Sequence, residues 1–210
     1  MIKHLETATE GAIVKGPSPS TTECEACSLS KSKQIISRRP PEHPATVPFE
    51  RVYFDVVHQI EGYNNHNYML HLFDEVTKFH EVETTVHIGD GITLDILQGW
   101  YNLHYDRYGC KWKYIRLDGE RTLQVQFETW CRTRNPPIII ERTPPYIKEP
   151  RAGAERSGGV IDDMGRTLRI NGNLPENMWP EAVKSAKDFL NILPTKALNW
   201  RTPYEVLMIF

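Results

Sequence analysis

The sequence predicts an α/β protein, a mixed sheet of about five strands flanked by helices. Three features carry that reading. Strand-like runs follow one another closely after Phe49, strand-like and helix-like segments then alternate, and the chain closes on an amphipathic helix. Elements in that order pack as helical layers on a sheet. A helical crossover returning from an antiparallel meander makes the fourth strand parallel to a neighbour, most simply the first.

Residues 1–48 have turn and linker composition, as in Gly16-Pro17-Ser18-Pro19-Ser20 and Arg39-Pro40-Pro41-Glu42-His43-Pro44. Only Cys24-Glu25-Ala26-Cys27 suggests local order there, and the folded domain is expected over 49–210. Strands are predicted over 51–58, 67–74 and 79–86, with Gly62-Tyr63-Asn64-Asn65 as the first turn. Leu94, Ile96, Leu97, Trp100, Leu103 and Tyr105 recur at near-helical spacing over 92–108, and Gly109 suits the stop. A strand over 112–118 follows, then a helix over 121–133 with Leu123, Phe127 and Trp130 on one face, and a short buried strand over 137–140. Ile161, Met164 and Leu168 mark a helical tail within 149–170, whose first turns Gly158 and Gly159 weaken by about 1 kcal/mol each. In the last helix Trp179, Ala182, Val183, Ala186, Phe189, Leu190 and Leu193 form an apolar stripe of core packing, with Pro180 near its start.

The composition, 40% hydrophobic and 25% charged, is that of a soluble globular chain, and 210 residues suffice for one sizeable core. No apolar run approaches the roughly 20 residues a membrane span needs, so no membrane partner is expected. A net charge of −2 argues against a uniformly basic nucleic-acid binder but allows a local cationic face. Between 121 and 156, Arg132, Arg134, Arg142, Lys148, Arg151 and Arg156 outnumber Glu128, Glu141, Glu149 and Glu155. Four cysteines, two of them in the Cys24/Cys27 pair, suit a reducing compartment better than a disulfide scaffold. Cys110 and Cys131 read as ordinary half-buried thiols, and His58, His71, His80, His87 and His104 as structural or exposed.

Three acidic contexts stand out: Tyr53-Phe54-Asp55-Val56, Arg116-Leu117-Asp118-Gly119 and Gly153-Ala154-Glu155-Arg156. An Asp within one strand, an Asp ending another and a Glu opening a helix are what a two-metal phosphoryl-transfer site needs. With 27 Asp and Glu in 210 residues such triples also arise by chance, and the flanking sequence must decide. Pairing of the first and fourth strands would set Asp55 beside Asp118. Glu149, Asp162 and Asp163 rival Glu155 for the third place, since Asp162 lies seven residues on and nearly on the same helical face.

In these blocks the chain resembles the integrase region of a copia-type LTR retrotransposon polyprotein, of the kind found in fungal genomes. Phe54-Asp55 is similar to the family's first catalytic block, Arg116-Leu117-Asp118-Gly119-Glu120 to the second, and Pro145-Tyr146 with Ala154-Glu155-Arg156 to the third. Cys24-Glu25-Ala26-Cys27 is similar to the second half of a zinc-binding pre-integrase segment. Leu174-Pro175, Trp179-Pro180-Glu181-Ala182, Pro194-Thr195 and Thr202-Pro203-Tyr204-Glu205 resemble the closing motif. The resemblance implies a ribonuclease-H-like fold and DDE-type polynucleotidyl transfer: 3′-end processing and strand transfer of element DNA. It further implies two Mg²⁺ (or Mn²⁺) ions on Asp55, Asp118 and Glu155, DNA as partner, phosphate contacts from Lys148, Arg151 and Arg156, a possible homo-oligomer and a nuclear location.

Two departures from the pattern bear on activity. The family's zinc site adds a His pair, and the thiols of Cys24 and Cys27 alone hold zinc weakly, because a structural site wants four ligands. Pro150-Arg151-Ala152 replaces a Gln-Asn-Gly loop. Whether the chain is an active enzyme, or a degenerate remnant that keeps the fold and weak nucleic-acid binding, stays open at this point. A host ribonuclease-H-like nuclease is a third reading.

Overall fold

In the computed structural model, residues 44–118, 123, 125–143 and 154–209 are described, apart from the side chains of residues 90, 118, 143 and 154–157. All of them belong to one unit, Ser37–Phe210. β1 (Arg51–His58), β2 (Tyr68–Asp74) and β3 (His80–Thr85) form the antiparallel meander. β4 (Tyr114–Asp118) returns parallel to β1, and β5 (Ile139–Thr143) lies parallel to β4, giving the order β3-β2-β1-β4-β5.

Alternation along the strands divides the core between the two sheet faces. Val52, Phe54, Leu70, Leu72, Ile115 and Leu117 pack under α1 (Asp90–Tyr108) and α2 (Val125–Thr133), through Leu94, Leu97, Trp100, Phe127 and Trp130. On the opposite face Met69 and Val82 meet Ile161 of α3 (Ala154–Asn171) and Trp179 and Val183 of α4 (Trp179–Ile192). A last short helix, α5 (Pro203–Ile209), adds Leu207 to the first cluster. The fold is the mixed five-stranded sheet with flanking helices that the sequence predicts.

Several boundaries differ from expectation, each for a physical reason. On α1 the buried face runs through Leu97, Trp100, Tyr101 and His104, whereas Leu103 and Tyr105 are 43% and 46% exposed. A 3.6-residue period carries those two positions off the face. β5 starts at Ile139, not at Pro137: Pro137 has no amide to donate, the Ile138 N–H goes to the Cys131 carbonyl at 3.0 Å, and the Ile139 N–H makes the first bond toward β4, to the Lys113 carbonyl at 2.8 Å. As an edge strand it leaves Ile139 51% exposed, so it is not the fully buried strand expected. Along α4 the stripe is buried only from Trp179 to Ala186, and Phe189 and Leu193 are exposed. Gly109 ends α1 as expected, in the left-handed region at φ 67°. No described helix is long and apolar enough to cross a membrane.

Candidate active site

β1 is the central strand, hydrogen-bonded on both sides, and Asp55 sits near its carboxyl end, half-buried. Its Oδ1 accepts the Val56 N–H at 2.9 Å. The parallel register pairs Phe54 with Leu117, so Asp55 and Asp118 are the next residues along two neighbouring strands. Parallel strands in register turn equivalent residues to the same face. Asp118 in turn pairs with Thr143 of β5.

The third acidic position arrives on α3, where Glu155 is the second residue. One turn further on, Gly158 is buried against the sheet: a Cβ there would lie 3.6 Å from Asp55 Oδ2 and 3.8 Å from His71 Nδ1. The missing side chain lets the helix backbone approach Asp55 closely. Asp55, the backbone of Asp118 and the start of α3 therefore gather at one end of the sheet. The side chains of Asp118, Glu155 and Arg156 lie outside the described residues, as do Cys24, Cys27, Lys148 and Arg151 entirely. Among the described residues no group of three or more His, Cys, Asp or Glu is placed to hold a metal.

The rivals for the third position can be placed in part. Asp162 accepts a hydrogen bond from Gln59 Nε2 at 3.0 Å and pairs with Arg166 at 3.2 Å. Asp163 is exposed, and Glu149 lies outside the described residues. The cationic excess between 121 and 156 is partly neutralised, since Arg142 pairs with Glu128 at 2.8 Å. Arg51 and Arg116 both engage Glu141, and Arg51 also bridges to Glu75, which accepts the Tyr53 hydroxyl. Burial and the Glu75 charge push the Tyr53 phenol up to about 12.

Sequence alone reads His71 and His80 as structural or exposed, and both are buried. His71 is the cross-strand partner of Asp55, is 1% exposed, and shares a 3.0 Å hydrogen bond between its Nε2 and His80 Nδ1. Burial holds His71 well below the ordinary imidazole range and brings His80 down to about 4. Both rings are neutral at physiological pH, so one proton lies between them. The signal was alternation, because His71 falls on the Asp55 face once the hairpin register is known. Burial also raises Cys131 to about 12, which removes it as a thiolate nucleophile.

This mixed five-stranded sheet with helices on both faces matches the ribonuclease-H-like fold of integrase catalytic cores. The core of HTLV-2 integrase in complex with magnesium superposes with a TM-score of 0.57 at 19% identity, over 76% of this chain and 97% of that one. A chain of the simian T-cell lymphotropic virus intasome in complex with PP2A regulatory subunit B56 gamma gives a TM-score of 0.64 at 16% identity over 88% of this chain and 63% of that one. In sequence the chain is a homologue of copia-type retrotransposon Pol polyproteins. It is 24% identical to the polyprotein of transposon TNT 1-94 from Nicotiana tabacum over 97% of its length. To that of transposon RE1 from Arabidopsis thaliana it is 23% identical over 92%. It spans only 15% and 13% of those two polyproteins. No family model matches the chain.

Proposed function

We propose that this chain is the catalytic core of a retrotransposon integrase, acting on the ends of element DNA and joining them to target DNA. The observation that carries the reading is the convergence of Asp55 on β1, the Asp118 backbone on β4 and the Glu155 end of α3, brought close through Gly158. The relatives in sequence and the integrase cores in structure support it.

The donor set suits a hard divalent cation. Asp55 and Asp118 would hold it from two adjacent strands and Glu155 from the helix, all through carboxylate oxygens. Mg²⁺ or Mn²⁺, one ion or two, would supply charge at the attacking and leaving oxygens of a phosphodiester exchange. The sheet fixes where the first two carboxylates start, and Val56 N–H restrains one oxygen of Asp55. Lys148, Arg151 and Arg156 would contact phosphates, setting affinity and its salt dependence without reading sequence. The HTLV-2 core was solved in dimeric and trimeric forms, which supports self-association here. DNA as substrate and the nucleus as site of action follow from the same reading.

A strand-transfer assay with a DNA duplex in Mg²⁺ or Mn²⁺ tests it. Asp55→Asn is expected to lower joining by at least about a hundredfold, the scale of losing a group that stabilises developing charge. Wild type and Asp55→Asn equally inert on DNA ends would sink the catalytic reading and leave a folded remnant. Cleavage of RNA–DNA hybrids with indifference to DNA ends would assign a host nuclease instead.

A further inference from the structure

Asp162 was a rival for the metal, yet its bonds suit another task. Its Oδ1 accepts from Gln59 Nε2 at 3.0 Å, across 103 positions of sequence. Its Oδ2 takes Arg166 at 3.2 Å, one helical turn on. Gln59 is itself fixed, because its backbone N–H donates to the Asn67 carbonyl at 2.8 Å just beyond the last pair of the β1–β2 ladder. The bond thus runs from the end of the strand that bears Asp55 to the middle of the helix that bears Glu155.

Among the described residues, the other contacts of α3 with the sheet and α4 are packing contacts. Gly158 rests on Asp55 and His71 without a side chain, and Gly165 rests on Val183 of α4 in the same way. Between them Ile161 is buried in the apolar cluster, and apolar burial is not directional. A hydrogen bond is directional, with strong preferences in distance and angle. Asp162 lies seven residues after Glu155, about 10 Å along the axis and within about 20° of the same face. Sliding α3 along its axis by about 1.5 Å, one residue's rise, would carry the Glu155 backbone the same distance. Reacting groups misplaced by about 1 Å can cost about a hundredfold in rate.

The geometry points to Gln59 and Asp162 as positioning residues whose bond sets where α3 presents Glu155 to Asp55 and Asp118. This rests on the proposed metal-dependent site. The test reverses donor and acceptor. Gln59→Glu sets two carboxylates against each other and removes the bond; Gln59→Glu with Asp162→Asn restores it, because the amide now donates to the new carboxylate. Mg²⁺ binding to the DNA-free protein is measured by calorimetry, half-saturating Mg²⁺ in strand transfer alongside it, and thermal melting reports the fold.

In Gln59→Glu both Mg²⁺ constants are expected to weaken by about three- to tenfold, the scale of one lost hydrogen bond. The added negative charge acts the other way, so a weakening cannot come from charge alone. The double variant returns to within about twofold of wild type, on the same scale. Gln59→Glu without effect, or a double variant no better than the single, overturns the positioning role. Asp55→Asn runs in parallel: Mg²⁺ binding that survives it overturns the metal site itself. Binding lost in Asp55→Asn but indifferent to Gln59→Glu overturns only the Gln59–Asp162 role.

Discussion

At the scale of single residues, the neutral imidazoles of His71, across from Asp55, and of His80, bonded to His71, make stability depend on acidity. His80 titrates near 4 when folded, against about 6.5 in an unfolded chain. Above pH 6.5 neither state binds the proton and its contribution to stability is complete. As the pH falls from 6.5 towards 4 the unfolded chain takes the proton and the folded one does not, so stability is lost across that window. The loss from His80 is about 3 kcal/mol. Urea unfolding between pH 7 and pH 4 should record it, and His80→Gln should show a shallower slope. An equal slope in the variant would place the acid sensitivity elsewhere. The same residue is tied to α4 through its backbone, since His80 N–H donates to Asn191 Oδ1 and Asn191 Nδ2 to the His80 carbonyl, each at 2.9 Å. Asn191 so satisfies groups on an edge strand that would otherwise invite pairing with another chain.

Among the elements, α3 shows most directly how small residues govern assembly. A Cβ on Gly165 would come within 3.0 Å of Val183 Cγ1 and 3.3 Å of Val183 N. Gly165→Leu is therefore expected to destabilise the fold by about 2 kcal/mol, despite the better helix propensity of Leu, because overpacking outweighs it. Chemical denaturation measures this, and a stabilised variant would mean that α4 yields easily. The elements also show what periodicity could and could not disclose. β1 to β3 were legible because apolar residues alternate between marked turns, and β1 was placed to the residue. The start of β5 was not, since nothing in an apolar Pro137-Ile138-Ile139-Ile140 run says which amide first finds a partner. Nor could spacing tell that α1 fills its core face with His104, whose Nε2 meets Glu81 at 3.3 Å and whose Nδ1 accepts the Trp112 indole at 3.2 Å. Such partners come from distant segments. The acidic positions of the candidate site stand out in the sequence as motifs, whereas Gln59 looks like any polar residue after a strand.

For the molecule as a whole, the candidate site joins segments 63 and 37 residues apart in sequence, so it exists only in the folded state. A ligand that binds the folded form alone stabilises it by mass action. Mg²⁺ in excess should raise the melting temperature of the DNA-free chain, by about 3 kcal/mol of stability at a hundredfold excess over its dissociation constant. Asp55→Asn should melt no higher with Mg²⁺ than without it. A Mg²⁺ response retained in that variant would locate cation binding away from β1.

The central strand has a consequence for how such a protein fails. On β1 alternate residues have opposite tasks: Phe54 seals the layer beneath α1 and α2, while its neighbour Asp55 faces α3. Sliding β1 by one place would exchange those tasks, driving a carboxylate into oil and an aromatic ring toward the proposed cation site. Inserting or deleting one residue there removes structural integrity and chemistry in a single stroke, so a misaligned yet well-formed version has no place to exist.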